Sequence, residues 1–95
     1  MTINYIKVRN IPEAAGYPPP DENTTWLDFW KLKNPFYMPS SCSNRNCTSQ
    51  ADLQGAHVQV PGEAKRYIIP LCGACCKLQD EFEVAEYKLT PVARN

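Results

Sequence analysis

Two close cysteine pairs, Cys42/Cys47 and Cys72/Cys75, are the residues of this chain best suited to chemistry. They stand in the stretches CSNRNC and CGACC, separated by TSQADLQGAHVQVPGEAKRYIIPL. Two pairs folded together by an intervening hairpin supply the four sulfurs of a closed tetrahedral metal site. Zinc is the expected ion, with iron the alternative that accepts the same donors. Ser43, Asn44, Arg45 and Asn46 fill the first gap. Small polar residues there let backbone amides turn toward thiolate sulfurs.

Two further residues sit close to this chemistry. His57 is the one histidine, and Cys76 is the fifth cysteine, directly after Cys75. His57 reads either as a histidine hydrogen-bonded within the fold or as a general base. Cys76 reads as a spare thiol, because Cys72 and Cys75 have the better spacing. A disulfide reading of the pairs meets an odd cysteine count. The chain opens MTINYIKVRN, without the apolar core of a secretory signal, and a cytoplasmic, reducing location is the expectation. A redox CxxC needs a strand–helix setting that the hairpin-fed LCGAC does not supply.

The elements that must position these groups are short. Residues 2–11 alternate partly and carry β-branched and aromatic side chains, which predicts a strand. PEAAGYPPPDEN follows as a stiff strap, since consecutive prolines donate no backbone hydrogen bonds. Thr25 can cap a helix over WLDFWKLK that must stop before Asn34-Pro35. Trp26 and Trp30 on it are core candidates. GAHVQV alternates, with Ala56, Val58 and Val60 on one face and His57 and Gln59 on the other. PGEAK is a turn and RYIIPL a second strand, which completes a hairpin. A helix starting at Cys72 would aim its amides at the second pair of sulfurs. Beyond it, residues 81–89 suit a helical stripe and a strand equally.

The chain has 95 residues, enough for one domain, and so short a domain gains much from a metal staple. No apolar run is long enough to cross a bilayer. Net charge is zero, but between Phe29 and Gln79 six basic residues face two acidic ones, a local excess of +4. That excess suits a solvated surface or weak contact with nucleic acid.

Knuckle, hairpin, then a helix carrying the second pair is the order of a treble-clef zinc finger. Over Cys42–Leu78 the chain resembles the HNH endonuclease superfamily, on the first cysteine pair, on GAHV and on PLCGACCK. It looks most like a group in which GAHV precedes an apolar YIIPLC strand, with a TWLDFW-type segment upstream. The resemblance implies a structural zinc on Cys42, Cys47, Cys72 and Cys75. It implies a short helix ending near Asp80, then one or two strands. It also implies that His57 holds the general-base position and Cys76 the helix position that helps to hold a catalytic cation. The departures are that Ala56 replaces an acid, and that no Asn or His lies between His57 and Cys72. Cys76 is too soft for magnesium.

The expectation is therefore a small, metal-stabilised α+β fold: an HNH-like ββα treble clef with an N-terminal strand and a short aromatic helix. The single domain, 1–95, divides into strand and proline strap (1–23), aromatic helix and connector (24–41), zinc module (42–80) and extended tail (81–95). The expected function is non-catalytic, a zinc module interacting with nucleic acid or protein. The alternative is a divergent HNH-type nuclease using His57. Neither a membrane nor a small-molecule substrate is implied.

Overall fold

The first strand, β1 (Tyr5–Asn10), is the hub of the sheet. The structure, a computed structural model, describes residues 2–12, 18–19, 24–36 and 41–92. Most of the expected proline strap lies outside the described residues, as do the connector 37–40 and the last residues of the tail. The N-terminal half of β1 pairs antiparallel with β4 (Phe82–Ala85), from Tyr5↔Ala85 to Val8↔Phe82. Its end passes to β2 (Gln54–Gln59), at Arg9↔Gln59 and Asn10↔Val58. β2 pairs with β3 (Tyr67–Leu71), and β3 with β5 (Thr90–Pro91). The order is β4-β1-β2-β3-β5.

This topology forces the sheet to curl. β4 and β5 stand at opposite edges, yet residues 86–89 alone connect them. A flat sheet would hold those strands roughly 19 Å apart, at about 4.8 Å per step. A connection containing the 3-10 turn Glu86–Lys88 reaches only about 13 Å. The edges must therefore bend toward each other. The enclosed face carries Val8, Val58, Ile69, Leu71 and Val84, all fully buried, with Phe82 and three of the cysteines beside them.

The convex face of β2 and β3 is covered by α1 (Trp26–Lys33). Thr25 Oγ1 accepts from the Asp28 amide at 3.1 Å, so the expected cap forms. The helix stops at Lys33, as Pro35 requires. Asn34 Nδ2 donates to the Trp30 carbonyl and to Thr90 Oγ1, each at 2.8 Å. Trp30 is buried, and its Nε1 donates to the Lys88 carbonyl at 2.8 Å. The helix is thus tied to the chain just before and within β5.

Between β2 and β3, Glu63 N donates to the Val60 carbonyl at 2.9 Å, and Gly62 has φ +92°. That is a type II turn with Pro61 and Gly62 at its centre. The helix expected at the second cysteine pair is a single 3-10 turn, Cys75–Lys77. Asn10 explains its brevity: Nδ2 donates to the carbonyls of Cys75 (3.0 Å) and Leu78 (2.9 Å). Leu78 is already extended, and Phe82 and Val84 pair with β1 in place of continuing a helix. The fold is thus a small α+β architecture, a curled antiparallel sheet with one helix and a cysteine cluster.

Candidate metal centre

The four paired cysteines converge. Cys42 and Cys47 come from the knuckle before β2, Cys72 directly follows β3, and Cys75 opens the 3-10 turn. Their sulfurs all lie within 4.8 Å of one another. Cys47 Sγ is 3.9 Å from Cys72 Sγ, far beyond the S–S bond length of about 2.05 Å. A zinc ion with bonds of about 2.3 Å would set tetrahedral sulfurs about 3.8 Å apart, so the donor set fits such an ion in type, number and spacing.

The knuckle is shaped by its own polar residues. Asn44 Oδ1 accepts from the Asn46 amide at 3.1 Å, and the Asn44 carbonyl from the Cys47 amide at 2.9 Å. Asn44 Nδ2 reaches across to Cys75 Sγ at 3.5 Å. The Cys75 amide donates to Cys72 Sγ at 3.4 Å. The knuckle is fixed to the sheet by Ser43 N on the Pro70 carbonyl and by Arg45 N on the Glu83 carbonyl.

Without a cation these sulfurs are in conflict. Burial pushes the Cys42 and Cys75 thiols up, against backbone and side-chain hydrogen bonds that favour thiolate. The Cys75 amide brings Cys72 down to about 7. A bound dication would resolve the conflict by stabilising all four as thiolates.

Cys76 lies outside the cluster. Its Sγ is 3.8 Å from the Leu71 carbonyl, and burial pushes it up to about 11. It lines a cleft of about 160 Å³ together with His57. Among the described residues, the other polar side chains lining it are Asn10 and Gln54, and none is a carboxylate.

His57 is buried, although strand alternation placed it on the less apolar face. The reason is α1: the Trp26 ring packs edge-on against the imidazole at 4.7 Å. His57 Nδ1 lies 3.2 Å from Arg66 NH1. Arginine only donates, so Nδ1 accepts and the neutral ring carries its proton on Nε2. Burial first, and the Arg66 charge second, lower the pKa from 6.5 to about 4.

This lowering makes stability depend on pH. The unfolded chain takes up the His57 proton before the folded one does. The contribution is complete above about pH 6.5 and is lost as pH falls toward 4. Urea unfolding at about pH 7 and pH 5 should show a loss about 2 kcal/mol larger in the wild type than in His57→Gln. Equal losses in the two proteins would assign the effect to other groups.

Asn10, Asn44 and Arg66 are parts of the site region that residue spacing did not single out. Asn44 had a readable signal, an Asx turn inside a cysteine knuckle. Asn10 reaches residues more than sixty positions away and left none. No helix of the described residues is long and apolar enough to cross a membrane. Comparison with protein-family models, curated proteins and solved structures found no match to this chain.

Proposed function

We propose that this chain is a zinc-binding interaction module of HNH-like treble-clef form, acting in a reducing, cytoplasmic setting without catalysis. One observation carries the reading: four cysteine sulfurs from two separate pairs lie within 4.8 Å of one another, three of the residues buried. Knuckle, hairpin and turn occur in treble-clef order, with a shorter helix than the family's. Elemental analysis of purified protein tests it, with one zinc per chain expected. Iron in its place would reassign the ion, and a metal-free native protein would remove the reading.

A divergent nuclease is the second reading, and His57 and Cys76 sharing one cleft is what favours it. Two features oppose it. Among the described residues the cleft offers no carboxylate to a hard cation. Nδ1 of His57 accepts from Arg66, so the neutral ring has Nε2 protonated and no free lone pair for a water proton. A metal-assisted phosphodiester cleavage without that cation would be very slow. Plasmid incubated with magnesium, manganese or nickel should show no nicking above background. Nicking that survives repurification and is lost in His57→Gln would establish the nuclease. Nucleic-acid binding should be weak: neutralising about four phosphates gives a log–log salt slope near −3.6.

A further inference from the structure

The four sulfurs of the cluster are not equivalent, and the difference selects one of them for reaction. Cys42, Cys72 and Cys75 are 4–6 % exposed, whereas Cys47 is only partly buried. Two of these buried sulfurs are also held by N–H donors. Cys72 Sγ accepts from the Cys75 amide at 3.4 Å, and Cys75 Sγ from Asn44 Nδ2 at 3.5 Å. Such donors draw on the lone pairs that a nucleophile needs. Among the described residues Cys47 Sγ has no N–H donor, and its close polar contact is Cys72 Sγ at 3.9 Å.

We propose that Cys47 is the site at which a hydroperoxide oxidises this metal centre, with Cys72 as the resolving thiol. The inference rests on the zinc reading above. Cys47 thiolate attacks one peroxide oxygen; the O–O bond breaks, hydroxide leaves, and Cys47 becomes a sulfenic acid. Cys72 thiolate then attacks that sulfur; the S–O bond breaks, a second hydroxide leaves, and a disulfide forms. Two thiolates have given up two electrons and the peroxide has taken them. Disulfide formation closes these sulfurs from 3.9 Å to about 2.05 Å. Only Cys42 and Cys75 then remain as donors, too few for a closed zinc site, so zinc is released.

The test uses the zinc-loaded full chain and hydrogen peroxide. Zinc release is followed with a chromophoric chelator, free thiols are counted, and disulfides are mapped by mass spectrometry after alkylation. The expected result is one zinc and two thiols lost per peroxide consumed, with a peptide linking Cys47 to Cys72 as the first disulfide. Dithiothreitol and zinc should restore the starting state. Cys47→His keeps a zinc-competent donor set of three thiolates and one imidazole and should release zinc at least about tenfold more slowly. Cys76→Ser should release it at the wild-type rate.

A first disulfide between any other pair overturns the proposal. So does wild-type release from Cys47→His, or abolished release from Cys76→Ser. If Cys47→His takes up no zinc, the wild-type disulfide map decides. Zinc content before oxidation separates the two levels. Its absence would defeat the zinc reading, whereas zinc present with the wrong disulfide would defeat this inference alone.

Discussion

Cys72→Ser should leave the domain largely unfolded at room temperature. A serine hydroxyl is a poor zinc donor at neutral pH. The substitution also takes away the sulfur that receives the Cys75 amide. Structural zinc contributes on the order of 10 kcal/mol or more in small metal-bound domains. That is comparable to the whole stability of an ordinary domain, about 5–15 kcal/mol. The apolar core offers little in reserve. Its largest fully buried side chains are Trp30, Ile68, Ile69, Leu71 and a few valines, and Trp30 and Ile68 lie apart from the main cluster. The knuckle itself adds no large apolar group. It hangs on a few backbone bonds, among them Cys42 N to the Ser49 carbonyl at 2.7 Å. Amide-proton NMR dispersion and zinc content together read the outcome. Collapsed dispersion with loss of zinc is expected, and strong chelation of the wild type should reproduce it. A metal-free chain with a fully dispersed native spectrum would show that packing alone holds the fold.

What could be read from the sequence was local. The cap at Thr25, the stop before Pro35, the turn at Pro61-Gly62 and the β2–β3 hairpin each depend on residues a few positions apart. The four cysteines were legible for a related reason, since each pair is close in sequence and the hairpin brings the pairs together. What escaped depends on distant parts of the chain. Residues 81–89 suit helix and strand equally by composition. The exposed edge of β1 decides for strand at Phe82–Ala85. The helix at the second pair was expected to be longer. Asn10, from the end of β1, caps its carbonyls after one turn. Alternation put His57 on the less apolar face, but alternation describes one strand and not the helix laid on it. The HNH-like identity stays at the level of resemblance. Its support is the order of knuckle, hairpin and turn.

Gly55→Ala should destabilise the fold sharply while leaving the cysteine cluster untouched. In sequence Gly55 marks only the start of an alternating strand. In the structure it is where α1 meets the sheet. A Cβ at this position would overlap the Trp26 carbonyl carbon, and would stand 2.5 Å from Leu27 N and 2.7 Å from Trp26 Cβ. The first two obstacles are backbone, so no rotamer change relieves them. The first turn of α1 must lift off β2. Lifting it disturbs the Trp26 ring against His57 and strains the tie from Trp30 to Lys88 and the one from Asn34 to Thr90. The overlap and the lost packing should cost about 3 kcal/mol, which lowers Tm by roughly 10–20 °C in a domain of this size. Zinc stoichiometry should be unchanged, because the cluster lies against the enclosed face of the sheet and α1 against the other. Gly62→Ala is the control. Its φ of +92° strains an alanine, but nothing lies within 4 Å of the added methyl. That change should cost only about 1 kcal/mol. Thermal unfolding of the two variants at equal zinc content makes the comparison. A Gly55→Ala protein as stable as Gly62→Ala would mean that α1 does not rest on Gly55.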